Sequence, residues 1–128
     1  MKPIDDTKPF ESRLMEDLHI ILQEAYTDAE AIFNKRHSDV HVIRVCTYRN
    51  NAMQNSYFNK RPKISNAKGG QSPHNYYPSL AFDIAFVSNV KKTLDYSPKL
   101  FKEFAEIIKP MANIEWGGDF KNFPDMPH

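Results

Sequence analysis

Two histidines and two aspartates carry the part of this sequence that could do chemistry. The stretch Ser72-Pro-His-Asn-Tyr-Tyr-Pro-Ser-Leu-Ala-Phe-Asp83 offers an imidazole at His74 and a carboxylate at Asp83, and the last four residues, Asp125-Met-Pro-His128, offer one more of each. Two His and one Asp make a three-ligand set for a catalytic zinc whose fourth position is left to water. Asp125, three residues before His128, is close enough in sequence to reach that water. The outline is that of a hydrolase. Asp83 is the most informative single position, because Ala81-Phe-Asp-Ile-Ala-Phe-Val87 reads as a central strand. Alternation puts Ala81, Asp83 and Ala85 on one face and Phe82, Ile84 and Phe86 on the other. A lone Asp among apolar strand residues is costly unless it is paired, hydrogen-bonded or bound to a metal. The small alanines beside it leave room for an ion and a substrate.

The elements that must position these groups follow from periodicity. A helix is expected from about Glu11 to Arg36, where Leu14, Leu18, Ile21, Leu22, Ala25, Ala29, Ile32 and Phe33 recur at three- and four-residue steps. His19 falls beside that stripe in a solvated or packed role. His37 and His41 straddle the end of this helix and the start of a strand, so their four-residue spacing does not put them on one helical face. His41-Val-Ile-Arg-Val-Cys-Thr47 is rich in branched residues and reads as a buried strand. It delivers Tyr48 and Arg49 to its end, where Asn50 or Asn51 caps a helix over the amide-rich residues that follow. An Arg there could fork onto a carboxylate, as recognition of a peptide substrate's acid requires, or could sit in a surface salt bridge. Residues 59–71 read as an irregular loop with a solvated basic rim. Pro98 to Pro110 reads as a second amphipathic helix, Asn113-Ile-Glu-Trp116 as a short strand, and Gly117-Gly118 as a turn.

Composition narrows the partners. With 17 basic and 16 acidic residues the net charge is +1, which provides no field for nucleic acid or an anionic membrane. The single Cys46 excludes an internal disulfide; in its apolar run it reads as a small buried residue rather than a nucleophile. There is no apolar run long enough for a membrane span or a signal-peptide core. Cytoplasmic synthesis without a signal peptide is therefore expected. The 128 residues fit one domain, 1–128, able to bury a core unaided, and a monomer is expected.

Residues 47–128 also resemble a known family. Ser72-x-His74, Ala81-x-Asp83, Trp116-Gly-Gly-Asp119 and Asp125-x-x-His128, preceded by Tyr48-Arg49 and Gln54, are similar to the ordered motifs of the VanY and phage L-alanyl-D-glutamate endopeptidase zinc peptidases. These cut peptidoglycan stem peptides and share a fold with the Hedgehog signalling domain. Three departures stand out. Asp83 follows His74 by nine residues instead of seven with an intervening Gly, Asp125 stands where many relatives have Glu, and the sequence given stops at His128 where relatives continue. The resemblance implies an α+β fold with helices packed on one side of a small, mainly antiparallel sheet. It implies zinc held by His74, Asp83 and His128, with Asp125 as general base. Arg49 would meet the substrate or the developing oxyanion, and Ser72, Gln54 and Trp116 would be further substrate-side residues. L-Alanyl-D-glutamate endopeptidase activity of the endolysin type is the first expectation, acting on the wall after release from the cell, and D-alanyl-D-alanine carboxypeptidase the second. A non-catalytic zinc-binding Hedgehog-like module and a cysteine hydrolase built on Cys46 are the rivals.

Overall fold

The computed structural model describes residues 6–60, 67–119 and 127–128. Six main elements follow in order: α1 (Ile20–Arg36), β1 (Val40–Cys46), α2 (Asn51–Asn59), β2 (Asp83–Ser88), β3 (Leu94–Asp95) and α3 (Pro98–Ile108). The chain divides into two compact units, one of Met1–His19 with Cys46–Phe82 and the other of Ile20–Val45 with Asp83–His128.

The second unit is the sheet unit. Its strand order is β1-β2-β3, and β2 and β3 pair antiparallel with Phe86 opposite Asp95 and Val87 opposite Leu94. As the middle strand, β2 buries Ile84, Ala85 and Phe86 in succession, so both of its faces are covered over those residues. Helices α1 and α3 meet over Phe86. The Phe86 ring lies 5.0 Å from Phe33 of α1 and 4.8 Å, edge-on, from Phe101 of α3; Phe104 closes the cluster at 6.1 Å from Phe33 and 6.0 Å from Tyr26. Such tilted and edge-on pairs add about 0.5–1.5 kcal/mol each beyond burial. This is the expected α+β arrangement of helices with a small antiparallel sheet. Pro98 occupies the first turn of α3, and Lys109–Met111, with Pro110 inside it, continues as a single 3-10 turn.

The first unit is built on backbone pairing near the start of the chain. Thr47 N–H donates to the Ser12 carbonyl (2.6 Å), Ser12 N–H to Tyr48 (2.8 Å) and Asn50 N–H to Phe10 (3.0 Å), so residues 10–12 run antiparallel to 47–50. Asn50 caps α2 as expected, its side-chain oxygen accepting from Met53 N–H (2.9 Å) and also from Phe10 N–H (3.0 Å). Asp17 is fully buried and accepts from Ser12 Oγ (2.6 Å) and Tyr77 Oη (2.9 Å), tying the segment before α1 to the loop that follows His74.

Two expected elements are corrected. The first helix begins at Ile20, not near Glu11, because Glu11 and Ser12 are committed to pairing with Tyr48 and Arg49, and Leu18 bridges to Ser79. Its buried stripe is also narrower than the pattern suggested: Ala25, Tyr26, Ala29 and Phe33 are covered, whereas Leu14, Ile21 and Ile32 are exposed. Asn113–Trp116 forms no strand. Asn113 takes a left-handed φ of 53° and Ile114 N–H turns back to the Lys109 carbonyl (3.3 Å), so this segment finishes the helix end.

Candidate active site

In the first unit, the site residue held most firmly is His74. It lies in the single 3-10 turn Pro73–Asn75, which Ser72 caps: the Ser72 hydroxyl accepts from His74 N–H (3.2 Å), and the Asn75 side chain accepts from Ser72 N–H (3.2 Å), a reciprocal capping box. The His74 carbonyl accepts from Arg49 N–H (3.0 Å), and Asn75 Nδ2 donates to the Arg49 carbonyl (2.7 Å), so this turn is stitched to the end of the strand segment. The ring is buried, with Nδ1 2.8 Å from the Thr47 carbonyl oxygen. A carbonyl can only accept, so Nδ1 carries the proton and Nε2 is left as the lone-pair nitrogen. A backbone carbonyl that fixes tautomer and ring orientation in this way is the usual second partner of a metal-binding histidine.

Around Arg49 lies a half-buried polar cluster. Its Nη1 donates to Gln54 Oε1 (2.9 Å), its Nη2 to Cys46 Sγ (3.5 Å), its Nε lies 3.4 Å from Glu11 Oε1, and its guanidinium sits 4.7 Å above the Tyr57 ring. Tyr57 Oη donates to the same Glu11 oxygen (2.8 Å). Burial first, and then that bond to Glu11, push the Tyr57 hydroxyl up to about 12, so it stays a neutral donor across the physiological range. Gln54 is fully buried and its Nε2 donates to the Ala67 carbonyl (2.8 Å). Cys46 is buried as expected, yet its sulfur lies 3.8 Å from His74 Nδ1.

In the second unit, Asp83 opens β2 and faces the last residue of the chain, with Asp83 Oδ1 3.1 Å from His128 Nδ1 and both side chains more than four-fifths buried. Backbone bonds pin His128: Ile84 N–H donates to the Pro127 carbonyl (2.9 Å), and Gly117 N–H donates to the His128 carbonyl (3.0 Å). The second of these bonds comes from the Trp116-Gly-Gly-Asp119 turn, which Asp119 N–H closes onto the Trp116 carbonyl (3.0 Å). Gly118 makes room for the indole, because a Cβ there would lie 2.3 Å from the Trp116 ring and the ring or the turn would have to shift.

Taken unit by unit, the donors have chemistry that zinc accepts. His74 presents a fixed tautomer, and the Asp83 and His128 donor atoms are about as far apart as two ligands of one tetrahedral zinc, roughly 3.3 Å for bonds near 2.05 Å. Asp125 lies outside the described residues. His37 and His41 are engaged elsewhere, His37 Nε2 with Glu103 (2.9 Å) while stacked on Phe33, and His41 with Asn89. Glu11, Asp17 and Tyr57 were not singled out by sequence. Their partners are 38, 60 and 46 positions away, and the nearest local hint was Pro9, which favours extended chain before it.

Comparison with known proteins supports the motif reading. Residues 65–128, which are 64 of the 128, match a peptidase family model described as D-alanyl-D-alanine carboxypeptidase. Over 73 residues the chain is 36% identical to the peptidoglycan L-alanyl-D-glutamate endopeptidase CwlK of Bacillus subtilis (strain 168). The match covers 51% of this chain and 42% of that protein, so the chain spans less than half of the relative's length. With half of the chain matched, the protein belongs to the VanY-like D-alanyl-D-alanine carboxypeptidase family.

Proposed function

We propose that this protein is a zinc-dependent peptidoglycan peptidase that cleaves the stem peptide, most directly as an L-alanyl-D-glutamate endopeptidase. The observation that carries the reading is the pre-orientation of the donors: His74 with its proton fixed on Nδ1, and Asp83 against a His128 anchored through its own carbonyl and that of Pro127. The family membership and the similarity to an endopeptidase support the substrate class. The family model's own description favours a second reading, cleavage of the terminal D-alanyl-D-alanine bond.

In this reading His74, Asp83 and His128 hold the ion within one catalytic domain of Hedgehog/DD-peptidase type acting as a monomer on the cell wall. Zinc, when bound, supplies an acidified water with a pKa of about 7 and a Lewis acid for the scissile carbonyl. Asp125 takes the proton from the attacking water and passes it to the leaving amine. Arg49 meets the substrate's carboxylate or the developing oxyanion, where a fixed positive group has its largest effect. Gln54 serves through its hold on Arg49, Ser72 through its cap on His74, and Trp116 from its turn beside His128. Among the described residues no helix is long and apolar enough to cross a membrane.

Mass spectrometry of peptidoglycan fragments released by the zinc-loaded protein names the bond. New N-terminal D-glutamate ends are expected; release of free D-alanine alone would select the second reading. Elemental analysis of His74→Ala should show loss of the metal, and zinc retained at wild-type occupancy would overturn the ligand assignment.

A further inference from the structure

We propose that Glu11 is the positioning residue for Arg49, fixing the guanidinium that the proposed function places on the substrate side. The inference rests on that reading only for its catalytic consequence. The two residues face each other in an antiparallel bridge whose register is set by backbone bonds on either side, Ser12 N–H to Tyr48 and Asn50 N–H to Phe10. Directly opposed residues of such a pair have their Cβ atoms about 4.5–5.5 Å apart on one face. Glu11 therefore reaches Arg49 with little freedom to lose. Its Oε1 stands 3.4 Å from Arg49 Nε, an ion-pair contact and not a hydrogen bond, and accepts the Tyr57 hydroxyl at 2.8 Å, while the Tyr57 ring lies 4.7 Å beneath the guanidinium. Glu11 from the edge, Tyr57 from one face and Gln54 from the far end together determine the plane in which the fork lies. Exposed ion pairs contribute little, but this one is about 70% buried on the acid and nearly 90% on the arginine. A surface pair would have no reason to recruit a buried amide and a ring as well.

The test is made on the full chain. Glu11→Gln keeps the size of the side chain and an oxygen for Tyr57 but removes the charge. Metal content and melting temperature should remain close to wild type. By NMR, hydrogen exchange of the Arg49 Nε–H should become at least about tenfold faster, and kcat/KM on soluble stem-peptide fragments should fall by about 10- to 100-fold, the scale on which supporting partners of site groups are felt. Glu11→Asp should recover part of both. A fall in kcat places Arg49 at the oxyanion; a rise in KM places it on the substrate's carboxylate. Wild-type exchange and kinetics in Glu11→Gln would overturn the proposal. Should that variant fail to fold, Glu11→Asp, which keeps the charge but draws it back by one methylene, is read instead, and wild-type Arg49 exchange and kinetics there are equally fatal. A wild-type protein that leaves stem peptides uncut with zinc present overturns the function reading, while the exchange measurement still decides the role of Glu11.

Discussion

Gly118→Ala isolates the turn that fastens His128. A Cβ at this position would stand 2.3 Å from one Trp116 ring carbon and 2.4 and 2.6 Å from two others. Ordinary carbon contacts lie at about 3.5–4.0 Å, so the indole or the turn must move by roughly 1 Å or more. Two effects oppose each other. Replacing Gly by Ala restricts the unfolded chain and stabilises by about 0.4–1 kcal/mol, whereas forcing extra carbon into a packed site costs about 1–3 kcal/mol. The steric term wins, for a net loss of about 1–2 kcal/mol, or a fall in Tm of about 4–8 °C at this chain length. Trp116 is the only tryptophan, so intrinsic fluorescence reads its displacement without interference. Because neighbouring Gly117 N–H holds the His128 carbonyl, zinc affinity should weaken alongside. Unchanged emission, Tm and zinc affinity together would refute the argument that the glycine is there to admit the indole.

Three further outcomes are expected. Asp125→Ala should retain zinc and lose at least about a hundredfold in rate, the scale of acid–base help; elemental analysis beside a turnover assay checks both halves, and a fully active variant would remove Asp125 from the mechanism. Phe86→Ala deletes the ring on which both α1 and α3 converge and should cost about 3–5 kcal/mol in denaturant unfolding; a loss under 1 kcal/mol would mean that the aromatic cluster is not the core of its unit. The Tyr57 hydroxyl titrates near 10 when unfolded and is pushed up to about 12 when folded, so the folded state binds more protons between those values. That contribution to stability is complete below pH 10 and disappears as pH rises towards 12; a Tyr57→Phe variant should lack that part of the alkaline decline, and an identical profile would refute the assignment.

Sequence by itself located most of the regular elements and the chemistry-bearing residue types. Branched residues over 40–46, the Asn50 cap and the proline at the start of α3 each state a backbone preference within a few positions, and the structure follows them. His74, Asp83 and His128 stood out as candidates because metal ligation draws on so few side-chain types, and the proposed function retains them in that role. Tertiary structure alone decided where the first helix begins. The three- and four-residue apolar rhythm runs on through Leu14 and Leu18, but Leu14 is exposed, and Asp17 is buried with partners at Ser12 and Tyr77. Tertiary structure also joined Glu11 to Arg49 and fixed the His74 proton through the Thr47 carbonyl. The physical reason is one of range. Dihedral preference, capping and periodicity are written in neighbouring residues, whereas which acid meets which base 38 positions away depends on how the whole chain closes its backbone hydrogen bonds and buries its rings.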